Sequence, residues 1–390
     1  MIDNDNLLHI VSEYGTPTYV FDEDELDART EKIRDILKPG SLCYSIKANP
    51  FLIPALIPVV RYFEVCSPGE LSICKSLKVP SEMIIYSGVH KEESDIEDAI
   101  SYGAAVITAE SVRQWELICT ASEKLGIKAD VILRLTSGNQ FGMSPEDIRM
   151  VLSKPSEQIN VKGLHYFAGT GRKQIKKHEE ELRMLAEMIE DLRTAYGVEL
   201  PMLEYGPGLS FPYFAGDDHT DTLAPLMELA PILESISSKV EISIEMGRFI
   251  ASSCGHYVTS ICDIKHSSDT CWCIVDGGIN HVNYLGQMMG MKVPVIRHFS
   301  NGCIVNDFEG EPCSLCGSLC TSNDVLVREL PLKDASIGDI LVFENTGAYS
   351  ITESMGLFLS RTLPKVVLYR GGTSRLVRDH IETWKINSQV

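Results

Sequence analysis

Three short segments of the chain combine residue types that can bind an anion and carry out amine chemistry. Lys47 closes the apolar stretch SLCYSIKA (41–48), where partial desolvation lowers the pKa of an amine and provides the neutral form that Schiff-base chemistry requires. The glycines of GPGLS (206–210) allow backbone N–H groups to approach a phosphate. In EMGR (245–248) a carboxylate that can hold a protonated ring nitrogen precedes a glycine and an arginine suited to an anion.

Each segment also has a structural explanation. A lysine at a strand end is often ion-paired, a pair of close glycines often makes a tight turn, and Glu245 and Arg248 can form an ion pair with each other. The secondary-structure elements that carry these segments therefore help to decide between a functional and a structural role for them.

The elements that carry these residues are eight short apolar runs alternating with amphipathic stretches. The predicted strands are 41–48, 62–67, 83–88, 105–109, 130–135, 161–167, 202–206 and 241–246. Helical periodicity is clearest at 68–77, 111–126 and 176–197, the last ending at a glycine. Eight strands alternating with helices predict an α/β fold, a parallel (β/α)8 TIM barrel, whose function lies at the C-terminal ends of the strands.

The pattern changes after about residue 265, where short β-rich runs are separated by Gly, Pro, Asn and Asp. These runs predict a second, mostly antiparallel β domain, and the strand-like TPTYVFD (16–22) is expected to pair into it. The predicted domains are therefore a barrel over 28–265 and a β domain built from both chain ends, 1–27 plus 266–390.

Composition narrows the classes of function. The 390 residues include 35 Lys+Arg and 54 Asp+Glu, a net charge of −19 that disfavours a nucleic-acid partner. We expect no membrane partner, because the apolar runs are too short to span a bilayer. The first residues, MIDNDNLLHIVSEYG, lack the features of a signal peptide, so we expect a cytoplasmic protein with its twelve cysteines reduced.

Ten motifs, in this order along nearly the whole chain, carry a family resemblance. They are GTPTYVFD (15–22), YSIKAN (44–49), FEVCSPGEL (63–71), QFGM (140–143), GLHYFAGT (163–170), EYGPGLSFPYF (204–214), EMGRF (245–249), VDGGIN (275–280), GSLCTSND (317–324) and NTGAYS (345–350). The chain resembles the fold-type III, alanine-racemase-like barrel enzymes that use pyridoxal 5'-phosphate, within the diaminopimelate/ornithine decarboxylase family.

The resemblance implies a role for each matching residue. Lys47 matches the lysine that holds the cofactor covalently, and Glu245 matches the carboxylate that pairs with the ring nitrogen and keeps the ring an electron sink. Other positions match residues that bind the phosphate or lie close to the cofactor. They are Glu64, Arg134, Phe167, Thr170, Gly206, Gly208, Gly247, Arg248 and Tyr349. Glu64 and Arg134 also fit an ion pair inside the barrel.

Cys320 matches a cysteine that, in the family, acts from the β domain on the active site of a partner subunit. The resemblance therefore implies a homodimer with shared active sites, in which this thiol returns a proton to Cα after CO2 leaves. Cys313, Cys316 and Cys320 also suggest zinc by their spacing, but a structural site needs four ligands and no second pair is evident. We therefore predict no metal.

Several positions depart from the family pattern and bear on the substrate. Thr321 stands where related enzymes carry an acidic residue for a distal amine, and Tyr284 stands where an arginine grips a distal carboxylate. Arg361 matches another arginine near the substrate, and Asp324 completes a Cys-Thr-x-x-Asp signature that we also assign to substrate binding. Phe167 replaces a histidine that stacks on the cofactor; its ring can stack but cannot donate a proton.

These departures resemble a specialised branch of decarboxylases. The branch acts on citryl-diaminopropionate in siderophore pathways or on glutamate tethered to a carrier protein. We therefore predict an α-decarboxylase for a small or carrier-bound amino acid whose distal end is not a free amine. The run 285–291 fits a lining for its entrance and equally a buried, Met-rich loop. The alternatives are a diaminopimelate or ornithine/lysine decarboxylase of primary metabolism, an inactive binding paralogue, and a racemase.

Overall fold

The computed structural model describes residues 2–38, 40–267, 270–284, 290–305 and 310–389. The α-helices are α1 (Asn4–Tyr14), α2 (Glu23–Leu37), α3 (Ile53–Leu56), α4 (Pro68–Ser76), α5 (Glu93–Tyr102), α6 (Val112–Leu125), α7 (Pro145–Leu152), α8 (Ile175–Tyr196), α9 (Ala224–Ser237) and α10 (Arg248–Ala251). The strands are β1 (Thr18–Asp22), β2 (Ser41–Ser45), β3 (Tyr62–Val65), β4 (Ile84–Tyr86), β5 (Val106–Ala109), β6 (Ala129–Leu135), β7 (Ile159–Phe167), β8 (Met202–Gly206), β9 (Glu241–Met246), β10 (Gly255–Ser267), β11 (Thr270–Val275), β12 (Ile296–Ser300), β13 (Cys303–Val305), β14 (Glu311–Cys316), β15 (Val325–Leu332), β16 (Ile340–Phe343), β17 (Lys365–Arg370) and β18 (Thr373–Arg378).

Strands β2 to β9 close into a parallel barrel in chain order, which confirms the predicted fold. The barrel unit comprises Thr30–Phe211 and Asp221–Phe249. Its strands are almost entirely buried because helices cover the outside and side chains fill the inside. One group of interior contacts joins Cys43, Tyr62, Ile85, Val106, Ile132 and Met202.

The helices around the barrel begin and end at capping residues that the sequence contains. The Ser67 and Ser111 side chains accept hydrogen bonds from the N–H groups of Glu70 and Gln114, which satisfies free donors in the first turns of α4 and α6. Helix α8 ends at Gly197, whose φ of 64° suits a residue without a side chain. No described helix combines the length and the apolar character that crossing a bilayer requires.

The second unit comprises Met1–Arg29, Pro212–Thr220 and Ile250–Val390 and contains a mostly antiparallel sheet. Its strands pair in the order β13-β12-β16-β10-β1-β17-β18, and β11, β14 and β15 extend the sheet from β10. Strand β1 pairs with β10 and β17, so both ends of the chain contribute to this domain, as the sequence predicts. The domain boundary at residue 265 stays a prediction; β10, which runs across this residue, pairs with β1 and β16 in this sheet.

One cysteine pair differs from the expectation of reduced thiols. Cys271 on β11 and Cys313 on β14 are partners in the register of these parallel strands, with a Cα–Cα distance of 4.5 Å, and they form a disulfide. The prediction of twelve reduced cysteines is therefore wrong for this pair, because strand pairing brings together residues distant in sequence. The other ten cysteines are free.

Candidate active site

A cavity of about 280 Å³ lies at the C-terminal ends of the barrel strands. Its walls come from residues at or just beyond the ends of seven strands, which is where a barrel of this type carries its chemistry. The lining residues are Lys47, Glu64, Cys66, Gly88, Val89, Glu110, Arg134, Phe141, His165, Phe167 and Glu245.

Lys47 lies in a single 3-10 turn, Ile46–Ala48, directly after β2, which ends three residues earlier than the predicted strand. Its Nζ forms an ion pair with Glu64 and lies 3.4 Å from Oε1 of Glu245. The side chain is 39 % exposed, whereas the two carboxylates are buried. The amine is thus held by anions on one side and accessible to the cavity on the other.

Glu245 is buried, and two polar side chains lie within hydrogen-bonding distance of its carboxylate. The Ser45 hydroxyl donates to Oε1 at 2.8 Å, and Nε2 of His165 lies 3.2 Å from Oε2. Burial raises the pKa of Glu245, but the Lys47 ammonium, His165 and Ser45 together hold that pKa well below its ordinary value. Glu245 is therefore an anion near neutral pH, which is the form that can bind a protonated ring nitrogen.

Arg134 and Phe167 complete the walls of the cavity. Nη1 of Arg134 donates to Oε1 of Glu110 at 2.7 Å, and its guanidinium lies 4.8 Å from the centre of the Phe141 ring. Phe167, at the end of β7, packs on Gly206, where an added Cβ would come within 2.4 Å of the ring. A glycine at 206 thus leaves room for the Phe167 ring beside the cavity.

The glycine-rich segment after β8 is close to the loop after β7. A Cβ at Gly208 would lie 1.7 Å from the carbonyl oxygen of Gly169, and the φ of Gly208 is +58°. The N–H of Arg172 donates to the Gly208 carbonyl at 2.9 Å, which ties the two loops together. Thr170 is exposed in the same loop, and Gly247 and Arg248 are half-buried at the end of β9.

We expect Gly208→Ala to weaken cofactor binding and to lower the thermal stability. Alanine is strained at this backbone conformation, and the clash is with backbone atoms that cannot move aside cheaply. The cost is about 1–3 kcal/mol. Thermal unfolding and titration of the apoprotein with pyridoxal phosphate measure the two effects. The control is Gly197→Ala, whose Cβ meets no atom within 4 Å although its φ is also positive. Equal affinity in the two variants would contradict this role for Gly208.

The remaining predicted site residues belong to the β unit. Cys320 is exposed and Thr321 is half-buried in the loop between β14 and β15. Nη2 of Arg361 donates to the carbonyl of Ser318 at 2.7 Å, which holds Arg361 against the start of this loop. Tyr349 is half-buried with a φ of 64°, and its carbonyl accepts the N–H groups of Thr352 and Glu353.

Two of the predicted substrate residues have structural partners. The Asp324 carboxylate accepts the N–H groups of Ile279 and Leu319, both at 2.8 Å, so each of its oxygens is engaged by the backbone. Tyr284 is buried, and its hydroxyl donates to the Glu344 carbonyl at 2.6 Å. Their assignment to substrate binding stays a prediction. Of the predicted entrance, residues 285–289 lie outside the described residues.

The structure adds residues in or beside the cavity that sequence analysis did not select. Ser45, Cys66, Glu110 and His165 all contact the charged groups described above. Their positions are a signal that could have found them, since Ser45 ends β2, Cys66 directly follows β3 and Glu110 directly follows β5.

Among the described residues, Cys313, Cys316 and Cys320 do not form one cluster with metal-like spacing. Cys313 is bonded to Cys271. Among the described residues, no group of His, Cys, Asp and Glu with metal-like spacing includes Cys316 or Cys320.

The residues of the cavity fit pyridoxal phosphate. An accessible lysine lies beside an anionic Glu245 in a pocket of suitable size, with an aromatic side chain at its edge. At Gly206 an added Cβ would lie 3.2 Å from Oε2 of Glu245, so this glycine keeps open the space beside that carboxylate. We propose that Lys47 and Glu245 hold the reactive parts of the cofactor. We assign the glycine segments, Thr170, Arg248 and Tyr349 to its phosphate.

Comparison with known proteins places the chain in a family. Residues 23–252 match the family model described as the pyridoxal-binding domain of pyridoxal-dependent decarboxylases. The chain is 27 % identical to a diaminopimelate decarboxylase of Methanocaldococcus jannaschii, covering 94 % of this chain and 89 % of that protein. It is 26 % identical to an L-glutamyl-[BtrI acyl-carrier protein] decarboxylase of Niallia circulans, covering 97 % and 94 %. Further relatives of similar identity are likewise named diaminopimelate decarboxylases.

A solved structure supports the same fold. The crystal structure of the diaminopimelate decarboxylase from Methanocaldococcus jannaschii superposes with a TM-score of 0.87 at 24 % identity, covering 98 % of this chain and 94 % of that one. The family match spans most of the barrel, including the lysine, the carboxylate and the glycine segments. The chain therefore belongs to the pyridoxal-dependent decarboxylases and is an amino-acid decarboxylase that uses pyridoxal 5'-phosphate.

Proposed function

We propose that this decarboxylase removes the α-carboxylate of an amino acid whose distal end is acylated, citryl-linked or carrier-tethered rather than a free amine. The observation that carries the proposal is the neutral Thr321 directly after Cys320. A buried ammonium without a charged partner costs a few kcal/mol, so a pocket for a free diamine is expected to carry a carboxylate there. A hydroxyl suits an amide or ester instead.

The surroundings of Thr321 support an extended substrate. A cavity of about 660 Å³ in the β unit is lined by Thr321, Ser322, Trp272 and Leu319 among others. Its charged lining residues include Arg328 and Glu329, which offset each other, and Asp324, whose oxygens accept backbone N–H groups. This composition favours a polar, uncharged group.

We assign the following roles in the reaction to residues of this chain. Lys47 would hold the carbonyl carbon of the cofactor covalently, would be displaced there by the amino group of the substrate, and would in turn displace the product amine. Glu245 would keep the ring nitrogen protonated. Electron withdrawal by that ring is the chemistry that the cofactor supplies. Cys320 returns a proton to Cα after CO2 leaves, from a partner subunit in a homodimer.

Presentation of the substrate by a carrier protein is consistent with the same proposal. The relative from Niallia circulans is named for a glutamyl group on an acyl-carrier protein, and the similarity covers nearly all of both chains. A tethered glutamate has no distal amine, which agrees with the neutral Thr321.

A second candidate is a diaminopimelate decarboxylase. It is favoured by the relative from Methanocaldococcus jannaschii and by others named for the same activity. The residue after Cys320 argues against it.

A CO2-release panel decides between the two functions. It compares free diaminopimelate, ornithine and lysine with N-acylated diamino acids, citryl-diaminopropionate and carrier-bound glutamate, using Lys47→Ala as the blank. We expect turnover only with substrates that lack a distal amine. Turnover of free diaminopimelate at a rate above all the acylated substrates would overturn the proposal.

Thr321→Glu is expected to shift specificity toward a free diamine. The new carboxylate pairs with a distal ammonium and should raise kcat/KM for such a substrate by about tenfold or more, while lowering it for the acylated one. The matched control is Asn323→Glu, which places the same charge on an exposed residue of the same loop that does not line the cavity. If both variants change specificity alike, the effect is general electrostatics and not a property of position 321.

A further inference from the structure

Glu204 is a buried carboxylate to which no step of the reaction has been assigned. It lies on β8 with no exposed surface. Neither of its side-chain oxygens accepts a hydrogen bond from an N–H or O–H group of the described residues, and the Cys43 thiol on β2 is a weak donor that faces it. Burying a carboxylate without a partner is expensive, so such a group needs either a nearby positive charge or a proton.

The strand register places this carboxylate next to His165. Glu204 on β8 is the register partner of His165 on β7, and register partners of adjacent strands share a face of the sheet. The imidazole is buried as well. Its Nε2 lies 3.2 Å from Glu245, while its Nδ1 has no hydrogen-bond partner among the described residues. A positive charge on His165 is therefore attracted by two carboxylates, Glu204 and Glu245.

We propose that Glu204 is a positioning residue that acts through His165. By holding the imidazole in its protonated form, it keeps a hydrogen-bond donor on Glu245 and so keeps Glu245 anionic toward the ring nitrogen of the cofactor. The proposal goes beyond the choice of substrate and is independent of it, because every substrate of this decarboxylase would use the same ring nitrogen.

The charges around this pair agree with the proposal. Burial lowers the pKa of His165, but the carboxylates of Glu204 and Glu245 outweigh it, so the pKa lies above its ordinary value. Burial raises the pKa of Glu204 to about 7 against the opposing effect of His165. The other titratable or charged groups facing the pair are Cys43 on β2, Glu64 on β3 and Arg134 on β6.

These charges determine the direction in which the His165 pKa changes when Glu204 is replaced. An anion stabilises a neighbouring cation, so removing the charge of Glu204 lowers the pH at which His165 gives up its proton. The same loss leaves Glu245 with a weaker donor. A residue that only fills space would leave both titrations where they are.

The test compares Glu204→Gln, which keeps the size and removes the charge, with Glu204→Asp, which keeps the charge. The first measurement follows the His165 ring by NMR across pH in the full-length protein, assigned with a His165→Gln variant. The second follows the visible absorption band of the bound cofactor across pH. We expect the midpoint of His165 to fall by about one pH unit in Glu204→Gln. The cofactor band is expected to move in the same direction, and Glu204→Asp to restore most of both shifts.

The matched control is Glu181→Gln, which removes a carboxylate that contacts the Tyr205 hydroxyl rather than the barrel interior. It should leave the His165 midpoint unchanged. Unchanged midpoints in Glu204→Gln with the cofactor bound would overturn the proposal. If that variant does not fold, the wild-type protein still decides, since a His165 midpoint below the ordinary histidine value of about 6.5 contradicts it.

Discussion

Replacement of Lys47 by alanine is expected to abolish covalent attachment of pyridoxal phosphate and to reduce CO2 release by at least about 10²–10⁴-fold. Among the described residues that line the barrel cavity, Lys47 is the one lysine, and two carboxylates hold its amine beside the predicted position of the ring. Reduction with borohydride followed by peptide mass spectrometry checks the attachment. The wild-type protein should yield a modified peptide containing Lys47, and the variant should yield none.

Lys91 provides a demanding control because it is also buried in the barrel unit. Burial lowers the pKa of Lys91 to about 8, which by itself is typical of a reactive amine. Its Nζ, however, donates to the carbonyls of Gly88 and Thr108 and to Oε1 of Gln114. All three N–H bonds are therefore used. Lys91→Met should keep the modified Lys47 peptide; finding the cofactor on Lys91 in the wild type would refute our assignment.

Glu245→Gln is expected to lower kcat by about 10²–10³-fold while leaving the cofactor attached to Lys47. The neutral amide cannot hold the ring nitrogen protonated, so the ring withdraws electrons less well as CO2 leaves. KM should change much less than kcat, since the carboxylate acts on the cofactor and not on the distal group of the substrate. Steady-state kinetics on an accepted substrate, with the peptide analysis described for Lys47, separates the two effects.

Glu245→Asp serves as the comparison for this prediction. It keeps the charge but shortens the reach, and it loses part of the contact geometry set by Ser45 and His165. We expect its kcat to fall between those of the wild type and Glu245→Gln. A kcat for Glu245→Gln near that of the wild type would show that the ring nitrogen does not depend on this carboxylate.

The barrel can be predicted from the sequence because each of its strands is recognisable from a short local pattern. Each apolar run ends in a polar segment, and all eight observed barrel strands begin and end within three residues of the predicted ones. The observed β7 begins two residues early and ends at Phe167 as predicted. The placement of Lys47 and Glu245 follows from the same pattern, since both stand at strand ends.

Other features depend on contacts between residues that are distant in sequence, which no local sequence pattern predicts. The Cys271–Cys313 disulfide arises from the pairing of two strands distant in sequence. The Tyr284 hydroxyl donates to the carbonyl of Glu344, and the Asp324 carboxylate accepts the N–H of Ile279, both far along the chain. Family resemblance assigns such residues by alignment alone, whereas their engagement by the backbone depends on the completed fold.

The position of β1 constrains how the polypeptide can be assembled during synthesis. Thr18 pairs with Val258 on one side and Lys365 on the other, although the whole barrel lies between them in sequence. The last barrel strand ends at Met246, so all eight are made before either neighbour of β1 exists. An emerging chain therefore carries an unpaired apolar strand through the entire synthesis of the barrel, and unpaired strands promote aggregation. Strands β10 and β17 thus cover β1 only after the barrel strands have been made.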